Sequence, residues 1–195
     1  MPHRTSRRDL ICEAALDLAA EGGNHALTHQ GIDARLGLAK GSTSYYYRTR
    51  HALVSAVIEH LTLRSREYFR DAVPAHPPAT ASEAAAAISD QLETLLTERH
   101  RDVVARYALM TDAAADDELR NGLASCLFSL PSAIELMNSL GAQSPSSAAR
   151  DLVALLEGLV FTHSAGARPL DAMTAGESES LRATVHLWVA ALTGK

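Results

Sequence analysis

A chain of 195 residues with 47% hydrophobic and 21% charged residues has an ordinary globular composition, long enough for one domain or two small ones. Its net charge of −5 divides unevenly, +3 over residues 1–70 and −8 over residues 71–195, which suits a nucleic-acid reader with a basic front and an acidic body. No apolar run approaches the ~20 residues of a membrane span, and MPHRTSRRDL lacks an apolar signal core, so a cytoplasmic protein is expected.

Alanine and leucine dominate while β-branched residues are sparse, which predicts an all-α fold. Cys12 and Cys126 stand far apart with no CxxC spacing and read as buried, reduced thiols. The first helix opens on a Ser-x-x-Asp capping pattern at Ser6 and Asp9. Leu10, Ile11, Ala14, Ala15 and Leu18 give it one apolar face, and Gly22-Gly23 is expected to stop it.

Residues 28–53 are the most informative stretch. Thr28 is a good N-cap, Ile32 and Leu36 recur at i and i+4, and Gly37 ends the short helix where a left-handed residue is needed. The next segment, Lys40-Gly41-Ser42-Thr43-Ser44-Tyr45-Tyr46-Tyr47, is crowded with hydroxyls and aromatics and has almost no aliphatic residue. A helix made only to pack would look different; one made to lie in a DNA groove needs such donors for phosphates and base edges.

The amphipathic first helix, Leu27-Thr28, Ile32…Gly37-Leu38, Gly41-Ser42-Thr43, the tyrosine run, Arg50 and Ala52-Leu53 together resemble the tetracycline-repressor (TetR/AcrR) family of bacterial regulators. The likeness covers residues 5–70, and beyond it only helical layout and length agree. The commoner family pattern has a small residue at Asp33, Leu-Tyr at Thr43-Ser44 and Phe at Tyr47. The resemblance implies an N-terminal three-helix helix-turn-helix domain over 1–70 and a helical effector-binding and dimerisation domain over 75–195.

On that reading Thr28, His29, Lys40, Gly41, Ser42, Thr43, Ser44, Tyr45, Tyr46 and Arg50 are the expected DNA contacts. Lys40 suits a phosphate or guanine, and Thr43 could also touch a thymine methyl. Gly41 is expected where backbone approaches DNA or the preceding helix. Tyr45 and Tyr46 would project outward, whereas Tyr47 takes the family's aromatic core position. Arg50 takes a family phosphate-clamp position. Turn-capping is the competing role for the three hydroxyls, and Arg4, Arg7 and Arg8 fit a basic arm or a frayed terminus equally.

From Arg50 a longer helix runs toward Phe69, and Pro74-Ala75-His76-Pro77-Pro78 marks the domain joint. Ile88, Leu92, Leu95 and Leu96 make the next stripe, then Val103, Val104, Tyr107 and Met110. Asp116-Asp117-Glu118 opens a helix that Leu119, Leu123, Leu127, Leu130, Ile134 and Met137 continue, with a kink at Pro131. Ser144 to Ser147 cap a helix carrying Leu152, Leu155, Leu156, Leu159, Val160 and His163. After a loop from Gly166 to Gly176, Leu181, Val185, Trp188, Val189 and Leu192 form the last stripe.

One helix-turn-helix offers too small a footprint, so a homodimer reading palindromic double-stranded DNA is expected. Residues 148–163 and 181–192 are the expected interface, with intrachain core as the competing role. If the resemblance holds, Tyr107, Met110, Phe128, Met137 and Phe161 line a pocket for a small-molecule effector, although each also fits plain core. No catalytic elbow, phosphate loop or HExxH occurs, and His25 and His29 straddle a helix start, so no enzyme activity, cofactor or metal is expected.

The function expected is a ligand-responsive transcriptional regulator, a repressor in the family's usual mode. Two alternatives stay open: a helical small-molecule binding protein or enzyme in which the motif is structural, and a DNA-binding dimer without an effector.

Overall fold

The computed structural model describes residues 6–72, 77–166 and 175–194, and among them ten α-helices occur and no strand. Local chemistry explains most of their ends. Ser6 Oγ accepts from Asp9 N–H at 3.1 Å while the Asp9 carboxylate accepts from Ser6 N–H at 2.8 Å, closing the capping box that starts α1 (Arg7–Ala26). Gly23, at φ +69°, interrupts α1 rather than ending it, because helical geometry resumes as far as Ala26. Thr28 caps α2 (His29–Arg35), accepting from Gly31 N–H at 3.0 Å. The short α3 (Ser42–Tyr46) and the long α4 (Arg50–Ala72) follow.

Beyond residue 77 come α5 (Ala81–Leu96), α6 (His100–Ala113), α7 (Asp117–Ala124), α8 (Leu130–Ser139), α9 (Pro145–Ser164) and α10 (Ala175–Thr193). The single helix expected over 119–137 is two. Pro131 sits in the first turn of α8, where its missing N–H leaves no bond unmade, and Ser129 caps that turn. Proline here starts a helix rather than kinking one. Of the expected breaks, Pro74 to His76 and most of the 166–176 loop lie outside the described residues.

By packing, the chain divides into two compact units, residues 1–67 with 101–126, and residues 68–100 with 127–195. A cut by function at 70–75 is a different division, because α6 and α7 pack with the N-terminal helices. In the first unit Ile11, Leu16, Leu27, Ile32, Leu53, Val57 and Leu61 share one buried cluster with Ala105, Leu109 and Leu123. In the second, α5 packs on α10 and α9, and α8 on α9.

The buried face of α6 is rotated from the one expected. Val103, Ala105 and Leu109 point inward together with the charged Asp102 and Arg106, leaving Met110 half-exposed. Arg106 can be buried because its Nε donates to the Leu123 carbonyl at 2.8 Å. A polar network also ties α6 to α1 and α4. Glu13 accepts from His60 Nε2 at 2.7 Å, Arg64 at 2.6 Å and Arg101 at 2.9 Å, and Arg101 donates further to Asp17 and Asp102, both at 2.8 Å.

The His60 hydrogen bond, against the effect of burial and with help from Arg101 and Arg64, holds the Glu13 carboxyl well below the usual carboxylate range. A depressed native pKa stabilises the fold above the unfolded value of ~4.3 and ceases to do so as pH falls toward the native one. Glu13→Gln is therefore expected to lower Tm at neutral pH. The gap from wild type should narrow as thermal melts are taken progressively below about pH 4.

Candidate nucleic-acid interface

The α2–turn–α3 segment is assembled around one carboxylate. Asp33, on the inner face of α2, is only 3% exposed. Its Oδ2 accepts from Gly41 N–H at 2.8 Å, and its Oδ1 accepts from Thr43 N–H at 2.8 Å and from Thr43 Oγ1–H at 2.7 Å. Gly41, the residue that opens α3, has no side chain with which to cap it, so Asp33 performs that task from eight residues upstream. Burial alone would raise the Asp33 pKa, but the hydrogen bonds from Thr43 and Gly41 outweigh it and hold the group ionised.

The backbone of the turn needs glycine twice. Gly37 has φ +62° and Gly41 φ +90°, both in the left-handed region. A Cβ at Gly41 would meet nothing within 4 Å, so its conformation, and no close approach to the preceding helix, accounts for glycine there. Leu38 N–H returns to the Asp33 carbonyl at 2.8 Å, closing the end of α2.

Tyr47 fills the core position expected of it. It is 8% exposed, its hydroxyl lies 3.8 Å from Cys12 Sγ, and the Arg8 guanidinium sits 5.9 Å from its ring centroid. Burial pushes the Tyr47 phenol up to about 12 and the Cys12 thiol up to about 11, so both stay protonated at neutral pH. Cys126 is likewise a buried free thiol. Arg7 and Arg8 belong to the first turn of α1, and Arg4 lies outside the described residues.

The ten residues expected to meet DNA divide sharply. Thr28, Lys40, Gly41, Ser44 and Tyr45 are exposed, Tyr45 at 83%. Tyr46 is half-buried against the core with its ring edge-on to Tyr45 at 5.3 Å, and Ser42 donates to the Ala39 carbonyl at 2.6 Å. His29 is half-buried, its Nε2 donating to the Tyr47 carbonyl at 2.7 Å.

Two residues are engaged within the chain, one buried and one at the surface. Thr43 is fully buried, its hydroxyl spent on Asp33. Arg50 is exposed but held by neighbours: Nε and Nη2 fork onto Asp112 at 3.0 and 2.9 Å, Nη1 donates to the Leu27 carbonyl at 2.6 Å, and Nη2 also meets Asn24. A guanidinium so held acts as a strut, with one Nη1 N–H left over at the surface. Arg48 was missed in the sequence. It is exposed in the α3–α4 link, and its position directly after the tyrosine run was the available signal.

The second unit contains a cavity of about 720 Å³ between α5, α8 and α9 and the end of α4. Of the five expected effector contacts only Phe128 lines it. Met137 is wholly buried, Phe161 is half-exposed, and Tyr107 and Met110 lie on α6 in the first unit. Tyr107 and Met110 were misplaced because the charged Asp102 and Arg106 hide the true inward face of α6.

Residues 79–193 match the family model of the tetracyclin repressor-like C-terminal domain. The chain belongs to the tetracycline-repressor family. None of the curated proteins matches it. Among solved structures it is similar to a transcriptional regulator from Rhodococcus sp. Rha1, with 16% identity, TM-score 0.75 and 96% of each chain covered. A TetR family member from Streptomyces coelicolor A3 is 23% identical at TM-score 0.66, covering 94% of this chain and 98% of that one. The multidrug binding protein EbrR, complexed with ethidium, is 25% identical at TM-score 0.62, with the same shares covered. As a member of this family of non-enzymatic, DNA-binding proteins, the chain is a ligand-responsive transcriptional regulator with an all-α fold. Among the described residues no helix is long and apolar enough to cross a membrane.

Removing the Asp33 carboxylate leaves two amides and a hydroxyl without their partner. Asp33→Ala is expected to cost about 1–3 kcal/mol in urea unfolding, and Asp33→Asn, which keeps an acceptor, less.

Proposed function

We propose that this tetracycline-repressor family member represses transcription as a cytoplasmic homodimer, reading palindromic DNA through the exposed tip of the α2–α3 turn. The observation that carries this reading is the outward placement of Lys40, Ser44 and Tyr45 on a turn whose inner side is locked by Asp33. Thr28, Gly41, Ser42, Tyr46 and the newly placed Arg48 complete the surface, with His29 helping to hold it. Hydroxyls and backbone position the segment on phosphates, and Lys40 and Arg48 supply the charge.

The dimer forms through α9 and α10. Their outer faces expose Leu155, Phe161 and Leu187 beside the small residues Ala154, Gly158, Ala183 and Ala191, a surface on which a copy of itself can pack closely. Two helices from each chain then make a four-helix interface. Residues 1–70 act as the DNA-binding part and 75–195 as the part that dimerises and binds an effector, in the cavity lined by Phe128. EbrR, similar over most of both chains, is described as binding multiple drugs. An effector that prefers the state with misplaced recognition helices releases the operator by that difference in affinity alone.

Gel shifts with the protein's own promoter region should show binding that falls steeply with salt. Lys40→Ala should weaken it several-fold at unchanged Tm and reduce the salt slope by about one per site. Binding that ignores both salt and Lys40 would place the DNA surface elsewhere. Separately, Leu187→Glu should yield a monomer by light scattering and lose the specific shift; a dimer that persists would move the interface off α10.

A further inference from the structure

The cavity of the second unit has one uncompensated charge among its described lining residues, on Glu135. Asp90 and Glu135 are among its lining residues, and among the described residues none of the lining is Lys, Arg or His. Tyr68, Phe69 and Phe128 also face it, three of the eight tyrosines and phenylalanines in the chain. The remaining wall is mostly aliphatic, from α5, α8 and α9. Asp90 is already paired with Arg182 at 3.0 Å, whereas Glu135 has no ion-pair partner among the described residues. The Arg99 guanidinium lies 4.9 Å from the Tyr68 ring centroid and is not part of the lining.

Charge sign therefore sorts what can enter. An anionic head group would give up hydration, face the Glu135 carboxylate, and find no cation among the described lining residues to pair with. A cationic one finds the unpaired Glu135 and the aromatic side chains of Phe69 and Phe128, while its apolar body packs on the aliphatic wall. The volume lies within the range of ~300–1,000 Å³ usual for drug-sized ligands.

We propose that the cavity binds an amphipathic organic cation, an onium or protonated amine on an aromatic body, with Glu135 as its counter-charge. This rests on the reading of the second unit as the effector-binding part, and it adds the ligand's charge.

Three probes of similar shape separate the possibilities by calorimetry on the full chain at about 0.15 M salt: tetraphenylphosphonium, tetraphenylborate and neutral triphenylphosphine oxide. The phosphonium is expected to bind at least about tenfold more tightly than the borate. Glu135→Gln, an exposed position that leaves the fold intact by circular dichroism, should weaken the phosphonium several-fold and leave the oxide unchanged. Borate binding as tight as phosphonium, or phosphonium affinity indifferent to Glu135→Gln, overturns the cationic assignment while leaving an effector cavity standing. Failure of all three probes to bind, with the operator complex unaffected by any of them, overturns the effector reading itself and the proposal with it.

Discussion

A buried carboxylate governs how the DNA-reading segment can work. Asp33 takes the amides of the cap residue Gly41 and of Thr43 together with the Thr43 hydroxyl, so two of the N–H groups that open α3 are already spent inside the chain. In most helices those amides are free to hold a phosphate. On the proposed reading, the segment therefore meets DNA chiefly with its side chains. Fixing the turn from inside leaves the outer side free to vary in chemistry without loss of shape. An ionised aspartate where the family usually carries a small residue exchanges van der Waals packing for three directional bonds.

The rest of the first unit is fastened by charge to an unusual degree. Arg101 and Asp102, at the start of α6, meet Glu13, Asp17 and Arg64; Thr111 and Asp112, at its end, meet Asn24 and Arg50. The attachment points on α6 are about eleven residues apart, roughly 16 Å on a helix rising 1.5 Å per residue, while those on α1 lie on either side of the Gly23 interruption. Fastenings at both ends of α6 resist its sliding against α1 in a way that apolar contacts, being non-directional, do not. Arg50 is central to this. It opens α4, holds the α1–α2 corner through the Leu27 carbonyl, and forks onto α6, joining three segments with one guanidinium.

What could be read beforehand followed from how local each signal was. The Ser6–Asp9 box, the Thr28 cap and the Gly37 turn depend on residues within four positions and stood plainly in the sequence. The all-α fold and the helix-turn-helix were legible for the same reason. Thr43 was not, since its burial depends on a partner ten residues away across a turn. The Arg50–Asp112 fork was likewise out of reach of a local reading, because the two residues lie 62 positions apart. The face of α6 was misread because hydrophobic periodicity assumes that charged residues point outward, and Asp102 and Arg106 do not.

Charge bookkeeping along the chain also overstated the basic front. Arg35 pairs with Glu21, Arg50 with Asp112 and Arg64 with Glu13, so these cations are neutralised within the first unit. Over that unit as packed, lysines and arginines equal aspartates and glutamates, twelve of each. The recognition segment is left with Lys40 and Arg48 amid hydroxyls and tyrosines. Few cations mean few released counterions, and hence weak attraction of one copy to DNA from electrostatics alone. Pairing two copies roughly doubles the number of phosphates neutralised, and with it the exponent of the salt dependence. If the proposed surfaces are right, the exposed apolar faces of α9 and α10 and the sparse charge of the α2–α3 turn are complementary, because a turn this poor in cations holds DNA better when a second copy adds its own.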